Sequence, residues 1–160
     1  MTDSPAALET RHILPDLRAM EAFGARIASS LRPGDVVALE GGLGAGKTTL
    51  ARAIIAALGY TGEVPSPTFT IVETYDTPPL RLPIVHADFY RLNDPSEVEE
   101  IGLDDYRDGA ALIAEWPDHA GGFGYETACL TIAIEPATKD ADGGRIAIAR
   151  AGADWLERWS

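Results

Sequence analysis

A single cysteine, Cys129, stands among 160 residues, so no disulfide can form within the chain. It sits in the apolar run Ala128-Cys129-Leu130-Thr131-Ile132, where a thiol serves as a small buried apolar group. Histidine is nearly as sparse, and three isolated histidines with one cysteine make no zinc site. No apolar stretch approaches the length a bilayer span needs, and the N-terminus has no basic segment followed by an apolar run. Neither a membrane span nor an export signal is therefore expected, and the cytoplasm is the expected compartment. Basic residues are also short: 13 lysines and arginines face 25 acids, a net charge of −12. A surface so poor in cations cannot hold a nucleic-acid backbone by itself through counterion release, so work on nucleic acid would need a basic partner. What remains is an ordinary globular composition, 46% hydrophobic and 24% charged, at the size of one domain that buries a real core.

Residues 1–12 are polar and mixed and read as a flexible N-terminus, with His12 to Leu14 as a short edge strand. A single domain is expected over 13–160. Asp16 suits the N-cap of a helix whose Met20, Phe23, Ile27 and Leu31 share one face, and Pro33-Gly34 stops it. Val36 to Leu39 is a short, continuously apolar run, the mark of a strand covered on both faces. A glycine-rich loop follows, then a helix from about Lys47 to Leu58 with Leu50, Ile54, Ala57 and Leu58 inward and Gly59 at C′. Thr68 to Tyr75 and Leu82 to Ala87 read as strands on either side of the Pro78-Pro79 turn. Pro95 and the acids of 96–100 open a short helix, Ala111 to Ala114 is another buried strand, and Ala128 to Glu135 pairs with Arg145 to Ala149 as a hairpin. Residues 155–159 form a final helical turn. This order predicts a three-layer α/β domain, a parallel core sheet with flanking antiparallel strands.

The strongest motif is Gly41-Gly42-Leu43-Gly44-Ala45-Gly46-Lys47-Thr48, which satisfies G-x-x-x-x-G-K-[ST] in full. Glycines let the loop wrap so that successive backbone N–H groups point at phosphates, and the start of the following helix adds positive dipole. Lys47 would reach the β- and γ-phosphates and the Thr48 hydroxyl would ligate Mg²⁺. The loop follows a buried strand and opens an amphipathic helix, the context this chemistry demands. Such a loop needs a carboxylate across the phosphates, for the metal or its waters. Asp88, after Ile84-Val85-His86-Ala87, and Glu115, after Leu112-Ile113-Ala114, both stand at the ends of apolar strands, where open α/β sheets place ligands. Ser66-Pro67-Thr68 lies where nucleotide switches place a hydroxyl that senses the γ-phosphate. Trp116, next to Glu115, is a candidate partner contact.

Together these segments resemble the bacterial TsaE (YjeE) family, the ATPases of tRNA threonylcarbamoyladenosine biosynthesis. The likeness runs over roughly 13–150 and rests on Leu43-Gly44-Ala45-Gly46-Lys47-Thr48-Thr49, on Ser66-Pro67-Thr68-Phe69-Thr70-Ile71-Val72-Glu73, on Asp88-Phe89-Tyr90-Arg91-Leu92 and on Glu115-Trp116-Pro117. The resemblance implies a P-loop NTPase fold that takes ATP and Mg²⁺ and hydrolyses ATP weakly alone. It implies two partners, a catalytic threonylcarbamoyltransferase subunit and its scaffolding paralogue, which modify the adenosine beside the anticodon in tRNAs that read codons beginning with A. By position, Gly41 to Thr49 would hold the phosphates, and Thr48 with Glu115 the Mg²⁺. Asp88 would serve the γ-phosphate, the metal's water or the attacking water, which makes Lys47, Asp88 and Glu115 the expected catalytic set. Leu17 and Ala141 would lie near the base. Two positions depart from the family pattern: Gly42 stands where an acid is usual, and Met20 where a threonine is common.

Other readings compete. A small-molecule kinase needs an arginine-rich lid, whereas the arginines after the P-loop helix are scattered. A GTPase needs an N-K-x-D motif, which is absent, so the D-x-x-G match at Asp118 to Gly121 is fortuitous. A nucleotide-gated assembly module, whose hydrolysis only resets it, is the alternative of a different class.

Overall fold

The computed structural model describes residues 8–42, 44–65, 72–76, 78, 80–137 and 144–159. Their elements are β1 (Leu8–Leu14), α1 (Leu17–Ser30), β2 (Val36–Glu40), α2 (Lys47–Ala57), β3 (Val72–Tyr75), β4 (Ile84–Asp88), α3 (Glu97–Ile101), α4 (Leu103–Arg107), β5 (Ala111–Glu115), β6 (Cys129–Pro136) and β7 (Arg145–Ala151). One seven-stranded sheet runs in the order β1-β7-β6-β2-β5-β4-β3. The four inner strands β6, β2, β5 and β4 are parallel, while β7 and β1 on one side and β3 on the other add antiparallel. This is the expected α/β architecture, with its parallel core and antiparallel flanks.

Sequence explains the layering. In β2, β4 and β5 the apolar residues run without alternation because helices or loops cover both faces. One face, with Val37, Leu39, Ile113, Leu130 and Ile132, packs under α1 and α2. The other, with Val36, Ala38, Val85, Ala87, Leu112 and Ala114, packs under Phe89, Leu92, Leu103 and Phe123. β1 instead alternates, and its Glu9 and Arg11 face solvent. It begins at Leu8, earlier than the expected start at His12, and pairs with β7 along its full length, so 8–12 belong to the sheet.

α1 starts where Asp16 accepts a hydrogen bond from the Ala19 amide at 2.8 Å, and it buries Met20, Phe23 and Ile27. α2 buries Leu50, Ala51, Ile54 and Ile55. Ala57, expected inward, is exposed: it ends the helix in the open groove beside Leu17 and Glu21. The single helix expected near Pro95 is two short turns, because Gly102 at φ 79° ends α3 and starts α4 in the left-handed region. The first part of the strand expected over Thr68–Tyr75, residues 68–71, lies outside the described residues. At the end of the sheet away from the P-loop, Trp155 and Trp159 are fully buried and donate to the Ala128 carbonyl and the Thr10 hydroxyl. Beside them Arg158 forms a two-pronged pair with Asp35 at 2.7 and 3.0 Å.

The α1–α2 contact holds the P-loop helix in place, and one glycine sets its closeness. A Cβ on Gly24 would stand 2.5 Å from the Ala53 Cβ and 3.1 Å from α2 backbone atoms. Gly24→Ala is expected to wedge the helices apart at about 1–3 kcal/mol. A lower urea midpoint at unchanged slope would show it; an unchanged midpoint would mean that the contact yields freely.

Candidate functional site

β2 ends at Glu40, and the chain turns at Gly41 into the P-loop. Gly41 has φ 147°, and a Cβ there would lie 2.5 Å from the Ile134 carbonyl oxygen of β6, so only glycine fits. Gly46, at φ 114°, is the N-cap of α2, and no side chain caps that end. The first-turn amides of α2 therefore face outward with the positive end of the helix dipole.

Lys47 is buried, and its ammonium donates to the carbonyls of Gly41 at 2.7 Å and Gly42 at 2.8 Å. It also lies 4.3 Å from the centre of the Trp116 ring. Burial lowers its pKa from the ordinary lysine value, and Glu115 and Asp88 push the other way. A cation desolvated this way, held over a cavity, interacts strongly with any anion that enters.

The carboxylates arrive from neighbouring strands. Asp88 and Glu115 pair across the parallel β4–β5 ladder, and both are buried. Glu115 accepts the Thr48 hydroxyl at Oε1, 2.8 Å away, and meets His86 Nε2 at Oε2, 2.6 Å away. Asp88 accepts the Tyr90 amide at 2.9 Å. Trp116 adopts φ 54°, a left-handed conformation costly for a bulky residue, and its ring meets Tyr90 at 4.8 Å and His119 at 5.5 Å.

A cavity of about 330 Å³ opens between these groups, lined by Gly44 to Thr49, Asp88, Tyr90, Glu115 and Trp116. A second, of about 270 Å³, adjoins it through Gly46 and Thr49 and is lined by Leu14, Leu17, Met20, Gly144 and Arg145 among others. Arg145 grips the loop between them, donating to the Ala45 carbonyl at 2.9 Å. Gly41, Gly42, Gly44, Ala45, Gly46, Lys47, Thr48, Thr49, Asp88, Glu115 and Trp116 thus gather at one end of the sheet, and Leu17 stands at the adjoining cavity. Leu43, Ser66, Pro67, Thr68 and Ala141 lie outside the described residues.

A family model described as "Threonylcarbamoyl adenosine biosynthesis protein TsaE" matches residues 14–146. The chain belongs to the TsaE family. It is similar to the tRNA threonylcarbamoyladenosine biosynthesis protein TsaE of Synechocystis sp., 42% identical over 110 residues that make up 66% of this chain and 68% of that protein. The TsaE of Haemophilus influenzae is 41% identical over 116 residues, 68% of this chain and 72% of its own length. That of Bacillus subtilis is 44% identical over 97 residues, 60% of this chain and 59% of its own length. The crystal structure of Bacillus subtilis YdiB superposes with a TM-score of 0.70 at 32% identity, covering 94% of this chain and 89% of that one. Membership carries a role in tRNA threonylcarbamoyladenosine biosynthesis and a P-loop NTPase fold, and that fold suits nucleotide binding.

Among the described residues no helix is long and apolar enough to cross a membrane, and no group of three His, Cys, Asp or Glu side chains could hold a metal ion. Mg²⁺ keeps several waters and takes one or two protein oxygens plus phosphate oxygens, and the Thr48 hydroxyl with the Glu115 carboxylate is a donor set of that kind. Met20 is buried with its terminal methyl carbon 3.2 Å from where a Cβ on Gly46 would stand, and it lines the second cavity.

The sequence reading missed His86 and Arg145. His86 lies two residues before Asp88, hence on the same face of β4, a signal available from strand periodicity alone. Arg145 gave no such sign, since its contacts span 100 residues of chain.

Proposed function

We propose that this TsaE-family chain is a Mg²⁺-dependent ATP hydrolase, slow alone, that supports threonylcarbamoyladenosine modification of tRNAs reading A-starting codons. It would act with a catalytic threonylcarbamoyltransferase subunit and its scaffolding paralogue, in the cytoplasm. The observation that supports this most is the convergence of a buried lysine, a hydroxyl and two buried carboxylates on a cavity floored by glycine-rich backbone.

In this reading the amides of Gly41, Gly42, Leu43, Gly44, Ala45 and Gly46 and those opening α2 at Lys47, Thr48 and Thr49 cradle the phosphates. Lys47 turns its ammonium from loop carbonyls toward phosphate oxygens. Thr48 and Glu115 would hold Mg²⁺, which would supply neutralisation of the charge on the phosphates. Asp88, which already accepts the Tyr90 amide, would serve the γ-phosphate, the attacking water or a water of the metal. Leu17 and Ala141 flank the base. The protein's contribution to rate is then positioning and electrostatics. Ser66, Pro67, Thr68 and Trp116 would carry the nucleotide state to the partners. With a net charge of −12 the chain would reach tRNA only through them.

One contact favours the alternative emphasis, a nucleotide-gated assembly module with little intrinsic hydrolysis. Trp116 already rests on the Lys47 ammonium, so filling the phosphate site alters the surroundings of a half-buried aromatic at its rim. Reconstitution separates the two. With partners and tRNA present, modification is expected to need this chain and ATP, to fail with a non-hydrolysable analogue, and to raise phosphate release above that of the isolated chain. Modification that turns over repeatedly with the analogue would favour the gating module. ATP is expected to bind more tightly than GTP, and the isolated chain is expected not to bind tRNA at physiological salt. The reverse nucleotide preference by calorimetry, or salt-sensitive tRNA binding by the chain alone, would overturn the proposal.

A further inference from the structure

We infer that His86 is a positioning residue that aims the Glu115 carboxylate at Thr48 and at the cation Thr48 would share. This rests on the Mg²⁺ reading just given. In β4 the side chains of His86 and Asp88 point to the same face, and Asp88 pairs with Glu115 across the ladder. His86 therefore sits one pleat deeper than the two carboxylates, behind Glu115 as seen from the cavity.

The contact is close and dry. His86 Nε2 lies 2.6 Å from Glu115 Oε2, with side-chain exposures of 0% and 3%. An ionised carboxylate only accepts, so with Glu115 charged the proton in this contact is carried by Nε2 and His86 donates it. Glu115 Oε1 takes the Thr48 hydroxyl at 2.8 Å, so each carboxylate oxygen has its own partner, one toward the interior and one toward the cavity. The last torsion of a glutamate is soft and roughly two-fold, and a donor behind the group selects one rotation. Short charge-assisted contacts of this kind are the strong ones, and burial strengthens them.

His86 has no packing reason to be polar. It is fully buried in a strand whose neighbours Ile84, Val85 and Ala87 are apolar, and its Nδ1 finds no hydrogen-bond partner among the described residues. Leaving a buried ring nitrogen unmet carries a cost, so the Nε2 contact with Glu115 is what the histidine contributes. Groups that orient a ligand from behind typically change metal affinity or activity by about 10- to 100-fold when removed.

The full chain carrying His86→Leu or His86→Gln is compared with wild type in three measurements. The first is the Mg²⁺ concentration that half-saturates ATP binding, the second is ATP affinity in EDTA, and the third is the ¹⁵N spectrum of the His86 ring without nucleotide. His86→Leu is expected to raise the Mg²⁺ requirement by about 10- to 100-fold while leaving affinity in EDTA unchanged. His86→Gln, whose amide can donate, is expected to recover part of the loss. The wild-type spectrum should show a protonated Nε2 whose signal moves in Glu115→Gln, a reading that stands even if His86→Leu fails to fold. An unchanged Mg²⁺ requirement in His86→Leu would overturn the inference. So would an Nε2 without its proton, or a uniform loss in EDTA, in Mg²⁺ and in melting temperature that glutamine does not relieve. If wild-type ATP binding itself shows no Mg²⁺ dependence, the metal reading falls and this inference with it; if only the variants fail to differ, the inference alone falls.

Discussion

Lys47→Ala is expected to abolish productive ATP binding, a loss of at least about 10²-fold in affinity. The triphosphate brings several negative charges to a cavity that already holds Asp88 and Glu115, both buried. Lys47 is the cation placed to offset them, held in reach by the Gly41 and Gly42 carbonyls. Two unit charges about 4 Å apart interact by roughly 4 kcal/mol at the effective dielectric of a partly buried site, and about 1.4 kcal/mol is tenfold in affinity. Removing the cation therefore outweighs anything the loop amides keep, and it turns two paired carboxylates into uncompensated repulsion. Lys47→Arg is expected to rescue poorly, because a planar guanidinium does not fit the two-carbonyl seat beneath Trp116 that a compact ammonium fills. Calorimetric titration with ATP checks both variants, with thermal unfolding as the control for folding. Affinity within a few-fold of wild type in a folded Lys47→Ala protein would remove Lys47 from the phosphate site.

What the sequence disclosed follows from how locally each feature is encoded. The β2–loop–α2 unit was legible because its whole pattern, apolar run, glycines, lysine and amphipathic helix, lies within 36–58 and each part constrains the next. α1 was legible for the same reason, from Asp16 and its apolar stripe. Asp88 and Glu115 could be nominated from strand ends, but their adjacency depends on β4 lying beside β5 in register, a tertiary fact. His86 was passed over because a histidine inside an apolar run looks like core: its spacing from Asp88 put it on the right face, but its partner is 29 residues away. The start of β1 was hidden by its alternation: Glu9 and Arg11 are solvent-facing residues of an edge strand and read as a polar tail. The tryptophans near the C-terminus were seen as a helical turn, yet nothing local says that Trp159 reaches Thr10 of the first strand. Features encoded across the sheet need the fold before they can be read.

Thr48→Ala and Glu115→Gln are expected to cut Mg²⁺-dependent hydrolysis far more than Mg²⁺-free nucleotide binding. Thr48 and Glu115 share one hydrogen bond at 2.8 Å and offer the cavity oxygen donors, whereas the proposed phosphate cradle is made of backbone and Lys47. Losing either oxygen therefore leaves the cradle standing and loosens the cation. A correctly held metal contributes several kcal/mol of charge stabilisation in a transition state, so a fall of about 10²-fold or more in kcat is expected. Glu115→Gln is the sharper variant. It keeps the shape and an oxygen for His86 but removes the charge, while Glu115→Ala leaves the His86 donor buried without its partner, a cost of about 1–3 kcal/mol in stability. The two substitutions should therefore separate: both lose hydrolysis, but only alanine lowers the melting temperature appreciably. Nucleotide affinity in EDTA should stay near wild type for Thr48→Ala and rise slightly for Glu115→Gln, since a negative charge facing the phosphates has gone. Phosphate release measured across a Mg²⁺ series decides it. Wild-type turnover in Glu115→Gln at an unchanged Mg²⁺ requirement would take Glu115 out of the metal site and leave Asp88, the other buried carboxylate of the cavity, as the group that serves it.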